Sequence, residues 1–204
     1  MMPTLAKKRK TEWDLMMKNA IFEATMAVLG EHGFEGLRMD RVAKAAEVST
    51  GTLYNYFKNK DELLLHVLDT RFEPILQEFL KIIKSNVSPP EKLEAFVREF
   101  LMSMQHHRSL VIIIISAEGR SLPIKEGSNE KHRIVHTIIA DILKEGIGQG
   151  IFRSFDTTRT AQLIFGAMRG LVQSRIDADN EPLIVESDIS ECMDLFFSGL
   201  NTKG

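Results

Sequence analysis

The chain is poor in the residues that staple, anchor or catalyse: one cysteine, one tryptophan and two tyrosines stand among 204 residues. A lone thiol, Cys192, cannot close an intrachain disulfide, which excludes a disulfide-bonded scaffold and fits a reducing compartment. It lies on an apolar helical stripe with no basic residue near it in sequence, and reads as a core or interface residue rather than a redox sensor. Long apolar runs are also missing. The longest, Leu110 to Ile115, falls far short of the roughly 20 residues that span a bilayer. The N-terminus carries charge but no apolar segment, so a secretory leader is not expected, and the reading is cytoplasmic with no membrane partner. There is no glycine-rich phosphate loop, no Ser-His-Asp order and no cysteine cluster, so an enzyme has little support and no cofactor is expected.

What remains is ordinary in composition and organised by helical periodicity. Hydrophobic residues make up 44% and charged residues 26%, with a net charge of −2, as in a globular chain large enough for one large core or two small ones. The charge is uneven. Residues 1–60 hold ten Lys/Arg against seven Asp/Glu, whereas residues 61–204 hold sixteen against twenty-one, so an excess of +3 sits at the N-terminal end against −5 elsewhere.

Apolar residues at helical spacing predict an all-α fold. A helix over about Thr11 to Glu31 carries Ile21, Ala24, Val28 and Leu29 inward and stops at Gly33. From Asp61 a long helix is interrupted by Pro74, where a kink either marks a hinge or wraps the helix around the core. Ser88-Pro89-Pro90-Glu91 is a capping-box start with proline at the first helical position. The β-branched run Val111 to Ile115 favours a strand locally, yet is read as helix because no partner strand exists. Further helices run from Asn129 to Ile147, from a cap at Asp156 to about Ile176, and from Ser187 to Leu200.

The most specific signal is Val42 to Lys60, VAKAAEVSTGTLYNYFKNK, which reads as two short helices joined by a tight turn. Val42, Ala43 and Ala46 are small enough for a second helix to cross closely, and Ser49 caps that second helix. Its front offers Thr50, Gly51, Thr52 and Asn55, short side chains suited to the base edges of a major groove. Leu53 and Phe57 face inward. Tyr54, Tyr56, Lys58 and Lys60 offer hydroxyl and ammonium donors of the kind that hold phosphates, as do Arg41 and Lys44. Phe34, Leu37, Val42, Val48, Leu53 and Phe57 give this unit a core of its own. The basic run Lys7-Lys8-Arg9-Lys10 precedes it, either as an arm on DNA or as a solvated tail.

The run from Gly33-Phe34 through Val42-Ala43, Val48-Ser49, Thr52-Leu53-Tyr54, Tyr56-Phe57 and Lys60 to Asp61-Glu62-Leu63 closely resembles the DNA-binding domain of TetR-type transcriptional regulators. Two positions depart from that pattern: Glu47 stands at the turn where the family usually has glycine, and Arg38 near the cap where it often has Ser or Thr. The resemblance implies a basic arm (1–10), a helix-turn-helix domain (11–60) and a helical effector-binding and dimerisation domain (61–204). It implies phosphate contacts by Arg38, Arg41, Lys44, Tyr54, Tyr56 and Lys60, and a homodimer reading a palindromic operator in double-stranded DNA. The last two helices would form the dimer interface, with Gly166 and Gly170 one turn apart and with Ile189, Met193, Phe196 and Phe197; the alternative for the glycines is packing within the chain.

An apolar or aromatic small-molecule effector is implied too, with Phe96, Phe100, Met104, Phe165 and Met168 as wall residues and His107, Glu118 and Arg169 as polar fixing points. His132 and His136 have a metal-compatible spacing that His106 and His107 could complete, but Lys131 and Arg133 flank them and no metal is expected. The expected function is a transcriptional regulator, most simply a repressor released by its effector. The alternative is a dimeric helical interaction protein that has lost DNA binding.

Overall fold

The computed structural model describes residues 5–108, 110–112, 115, 122–178, 182, 184 and 186–200. Eight helices are delimited: α1 Leu5–Gly36, α2 Met39–Ala45, α3 Thr50–Tyr56, α4 Lys60–Lys84, α5 Pro89–His106, α6 Leu122–Gly148, α7 Thr157–Asp177 and α8 Glu186–Leu200. No strand occurs among the described residues. Leu110, Val111, Ile112 and Ile115 are helical, so tertiary context overrides the β-branched propensity there.

Two compact units divide the chain: residues 1–70 with 112–126, and 71–111 with 127–204. In the first, α1 packs on α2 and α2 on α3. Ile21, Ala24, Val28 and Leu29 of α1 meet Leu37, Val42, Ala43, Leu53 and Phe57 in a core completed by Leu63 and Leu64 of α4 and by Ile124 of α6. Phe34 and Val48 pack against it half-buried. Burial of these side chains, at roughly 25 cal/mol per Å² of apolar surface, is what holds α2 and α3, two seven-residue helices whose own propensity could not.

Gly33 breaks the helical backbone near the end of α1 with φ +65° and ψ −174°, a conformation open to glycine at no steric cost. Helix α1 begins earlier than its periodicity indicated, so Lys7 to Lys10 belong to its opening turns. Helix α4 continues through Pro74, which is exposed.

In the second unit α5, α7 and α8 pack pairwise. Ser88 opens α5 as expected from its sequence: its backbone N–H donates to the Glu91 carboxylate at 2.8 Å and its hydroxyl at 2.6 Å. Asp156 caps α7 by accepting from the Arg159 N–H at 3.0 Å. Polar ties fix the helices further: buried Lys92 of α5 reaches both oxygens of Glu145 on α6 at 2.9 and 2.8 Å, and Arg98 of α5 pairs with Glu186 of α8 at 2.6 Å.

Candidate nucleic-acid interface and effector region

Helix α3 is short and held from both ends. Ser49 Oγ accepts from the Thr52 N–H at 3.0 Å and exchanges a hydrogen bond with the Thr52 hydroxyl at 2.8 Å. Leu53 is wholly buried and Phe57 nearly so, which pins the inner side of the helix. The outer side presents Thr50, Gly51, Tyr54 and Asn55 to solvent, with Thr52 half-buried between them. All four residues expected at base edges therefore share the start and outer face of one helix. A β-carbon on Gly51 would meet nothing closer than Ser49 Oγ at 3.8 Å, so packing within the chain does not require glycine there.

The turn before α3 resolves the first departure. Glu47 adopts φ +56°, the left-handed conformation that disfavours any residue with a β-carbon. The turn keeps its geometry and Glu47 carries the strain. Its N–H donates to the Lys44 carbonyl at 3.2 Å, and the Val48 N–H to the Ala43 carbonyl at 3.0 Å, closing α2. The second departure is resolved as well: Arg38 occupies the N-cap of α2 with no side-chain cap hydrogen bond. Its Nε instead donates to Asp40 at 3.0 Å, and that contact holds the Asp40 carboxyl below its usual range.

The residues expected on phosphates divide into two sets. Arg38, Arg41, Lys44 and Tyr54 are exposed, although Arg41 also donates to the Gly36 carbonyl at 2.9 Å. Tyr56 and Lys60 are engaged with the protein itself. The Tyr56 hydroxyl donates to Asp14 of α1 at 3.2 Å; burial, and then that carboxylate, push its phenol above the ordinary range. Lys60 Nζ donates to the Phe34 carbonyl at 2.8 Å and lies 3.9 Å from the centre of the Phe34 ring. Burial pulls its ammonium below the ordinary range. Lys60 thus adds a second donor to a carbonyl that also accepts the Leu37 N–H at 3.2 Å just after the Gly33 break, a structural role that its sequence position did not reveal.

In the second unit Phe96 and Met168 are wholly buried, and Phe100 and Phe165 nearly so. Phe100 meets Phe165 edge-on with ring centres 5.5 Å apart. His132 and His136, missing from the expected effector set, join them at 5.0 and 4.8 Å from Phe165. Arg169 Nη1 lies 3.0 Å from His132 Nε2, with Ser128 Oγ at 3.3 Å from the same nitrogen. The two histidines are therefore aromatic and polar partners of the residues expected to hold an effector, a grouping visible only once α6 and α7 are folded together. Glu118 lies outside the described residues. Met104 is half-buried, and His107 lines a different space, an open groove of about 660 Å³ bounded by Pro74, Ile75 and Glu78 of α4 and Glu99, Met102 and Ser103 of α5.

Burial within the chain divides the residues expected at a dimer face. Ile189, Met193 and Phe196 are 1%, 6% and 8% exposed, because α8 turns that stripe into its own protomer's core; Phe197 is half-buried. Gly166 and Gly170 are exposed, and a β-carbon on either would meet nothing within 4 Å, which rules against packing within the chain as their reason. Leu163 on α7 and Leu195 on α8 are 68% and 67% exposed.

Comparison with known proteins decides the family. Residues 21–67 match the bacterial regulatory proteins of the tetR family, and residues 86–173 match the tetracyclin repressor-like C-terminal domain. The chain belongs to the TetR family. It is 26% identical over 185 residues to a fatty acid metabolism regulator protein of Bacillus subtilis, covering 90% of this chain and 95% of the relative. It is 23% identical over 138 residues to the HTH-type transcriptional repressor KstR2 of Mycobacterium tuberculosis, covering 67% of this chain and 69% of that protein. Among solved structures, a TetR transcription regulator from Haloarcula marismortui shares the fold, with a TM-score of 0.81 over 91% of this chain and 98% of its own at 20% identity. The regulator FadR of Bacillus subtilis, solved in complex with stearoyl-CoA, aligns with a TM-score of 0.75 at 25% identity over 88% of this chain and 97% of its own. TetR proteins are DNA-binding transcriptional regulators with an N-terminal helix-turn-helix, and α2 and α3 are that motif here.

Proposed function

We propose that this TetR protein acts as a homodimeric repressor of lipid-metabolism genes, released from a palindromic operator by a long-chain acyl thioester. The outer face of α3, where Thr50, Gly51 and Asn55 are exposed and Thr52 is half-buried beside Ser49, carries the DNA half of this reading. Asn55 can pair bidentately with adenine, threonine methyls can meet thymine methyls, and Gly51 leaves room for a close backbone approach. Arg38, Arg41, Lys44 and Tyr54 hold phosphates. Tyr56 and Lys60 support the reading head from within.

Similarity to a fatty acid metabolism regulator along 90% of the chain, and to a regulator solved with stearoyl-CoA, supports the effector half. The interior it would use is Phe96, Phe100, Phe165 and Met168, a region of aromatic and thioether side chains that repack around an alkyl chain at low cost. Arg169 and the imidazoles of His132 and His136 are positioned to receive its polar end. Binding of effector and DNA to different conformations of the dimer makes each weaken the other by the same factor.

Fluorescence anisotropy of an operator duplex tests the release step. Stearoyl-CoA at micromolar concentration should dissociate the complex, whereas free coenzyme A should not. Equal dissociation by both, or by neither, would contradict an acyl-thioester effector.

A further inference from the structure

Asn55 stands on the outer side of α3, about 200° around the helix from buried Leu53. Tyr54 and Tyr56, each about 100° from Asn55, occupy opposite flanks. A helix about 10–12 Å across in a major groove about 12 Å wide brings its flanks against the phosphate walls while its front meets the bases. The two flanks differ. Tyr54 is exposed, whereas Tyr56 is half-buried and its hydroxyl donates to Asp14 of α1 at 3.2 Å.

A phenol has one proton to give. Burial, and then Asp14, raise the Tyr56 pKa, so that proton stays on the phenol through the neutral range. The bond to Asp14 is longer than the roughly 2.5–2.7 Å of a well-formed hydroxyl–carboxylate pair, which leaves the proton open to competition from another ionised oxygen. Among the described residues no lysine or arginine pairs with Asp14. A phosphate oxygen bonded to Tyr56 would stand within about 6 Å of the Asp14 carboxylate. Two like charges at that separation weaken association about threefold even at the dielectric of water, and more as water is excluded.

We propose that Asp14 sets operator affinity by competing with the DNA backbone for the hydroxyl proton of Tyr56. The flank of α3 that Tyr56 occupies then adds little to the attraction for phosphates, which is blind to sequence, and a larger share of the affinity comes from the base edges. The inference rests on the DNA-binding reading and assigns to a residue of α1 the control of how tightly α3 is held.

Asp14→Asn tests this, because asparagine keeps the size and offers Tyr56 an oxygen acceptor, but a neutral acceptor holds a hydroxyl about half as strongly as an ionised one. The probe is a palindrome selected from a random DNA pool by the purified protein. Asp14→Asn should bind it about three- to tenfold more tightly than the native chain at low salt. The slope of log K against log salt should steepen by about 0.9, the signature of one further phosphate contact. An unrelated duplex of the same length should gain by the same factor, since phosphates carry no sequence information. Adding Tyr56→Phe to Asp14→Asn should remove most of the gain, and Asp14→Glu, which keeps the charge, should show none. A tie that merely braced the fold would instead lower affinity and melting temperature together in Asp14→Asn. Unchanged or weaker binding by Asp14→Asn, a gain confined to the palindrome, or a gain undiminished by Tyr56→Phe would overturn the proposal. If neither the native chain nor Asp14→Asn selects any duplex, the DNA-binding reading fails and the proposal with it.

Discussion

At the residue scale, two positions trade stability against geometry. Glu47 holds a left-handed backbone, φ +56°, that costs a residue with a β-carbon about 1–2 kcal/mol. Glycine removes that strain but adds about 0.4–1 kcal/mol of unfolded-state freedom. Glu47→Gly should therefore stabilise the protein by about 0.5–1 kcal/mol, while Glu47→Ala leaves it nearly unchanged; denaturant melts of the two variants make the comparison. Gly51 runs the other way. With open space around its missing β-carbon, Gly51→Ala should raise stability by about 0.5–1 kcal/mol. Operator affinity should fall in the same variant, since the added methyl stands on the face that meets DNA. A variant equally stable and equally tight would show that Gly51 has no role at the interface.

His66 ties stability to pH instead. Its ring lies 5.0 Å from that of Phe57, beneath the reading helix, and its Nε2 is buried without a hydrogen-bond partner. Burial, with Lys18 adding to it and Asp69 opposing, holds its pKa below 6.5. The folded state keeps the ring neutral while the unfolded chain takes up a proton near pH 6.5. Its contribution to stability is therefore complete above that pH and is lost as pH falls toward the folded value. Urea midpoints should drop between pH 7.5 and 5.5, and His66→Gln should flatten the slope. His107 and His136, also depressed chiefly by burial, should leave a residual slope in that variant.

At the element scale, α7 and α8 present the clearest outward surface of the second unit: Leu163, Gly166 and Gly170 on one, Leu195 on the other. Leu163→Arg should shift a dimer toward monomer in sedimentation with little loss of helix content. Met193→Ala, acting on a buried side chain, should instead cost about 2–5 kcal/mol of folding stability. Periodicity identified the apolar positions of α8 correctly but could not say whether a stripe faces its own protomer or another. The helix-turn-helix was far more legible, because cap, small crossing residues and inward aromatics lie within twenty residues of sequence and their contacts are local. Lys60 on the Phe34 carbonyl and Tyr56 on Asp14 were not legible: both join residues more than twenty-five apart, and a hydroxyl or ammonium looks the same in sequence whether it meets a phosphate or the protein. The partnership of His132 and His136 with Phe165 and Arg169 was hidden for the same reason.

At the scale of the whole molecule, the central claim is sequence-specific recognition of DNA by the exposed face of α3. Each head offers few base contacts, so a two-fold site with half-sites about one helical turn or a multiple apart follows from the need to double them. Selection of duplexes from a random pool by the purified protein, at two salt concentrations, tests this directly. Enrichment of one palindrome at both, with affinity falling as salt rises, is the predicted result. Binding without enrichment of any sequence, or no binding at either salt, would contradict the claim and place a helical interaction protein in its stead.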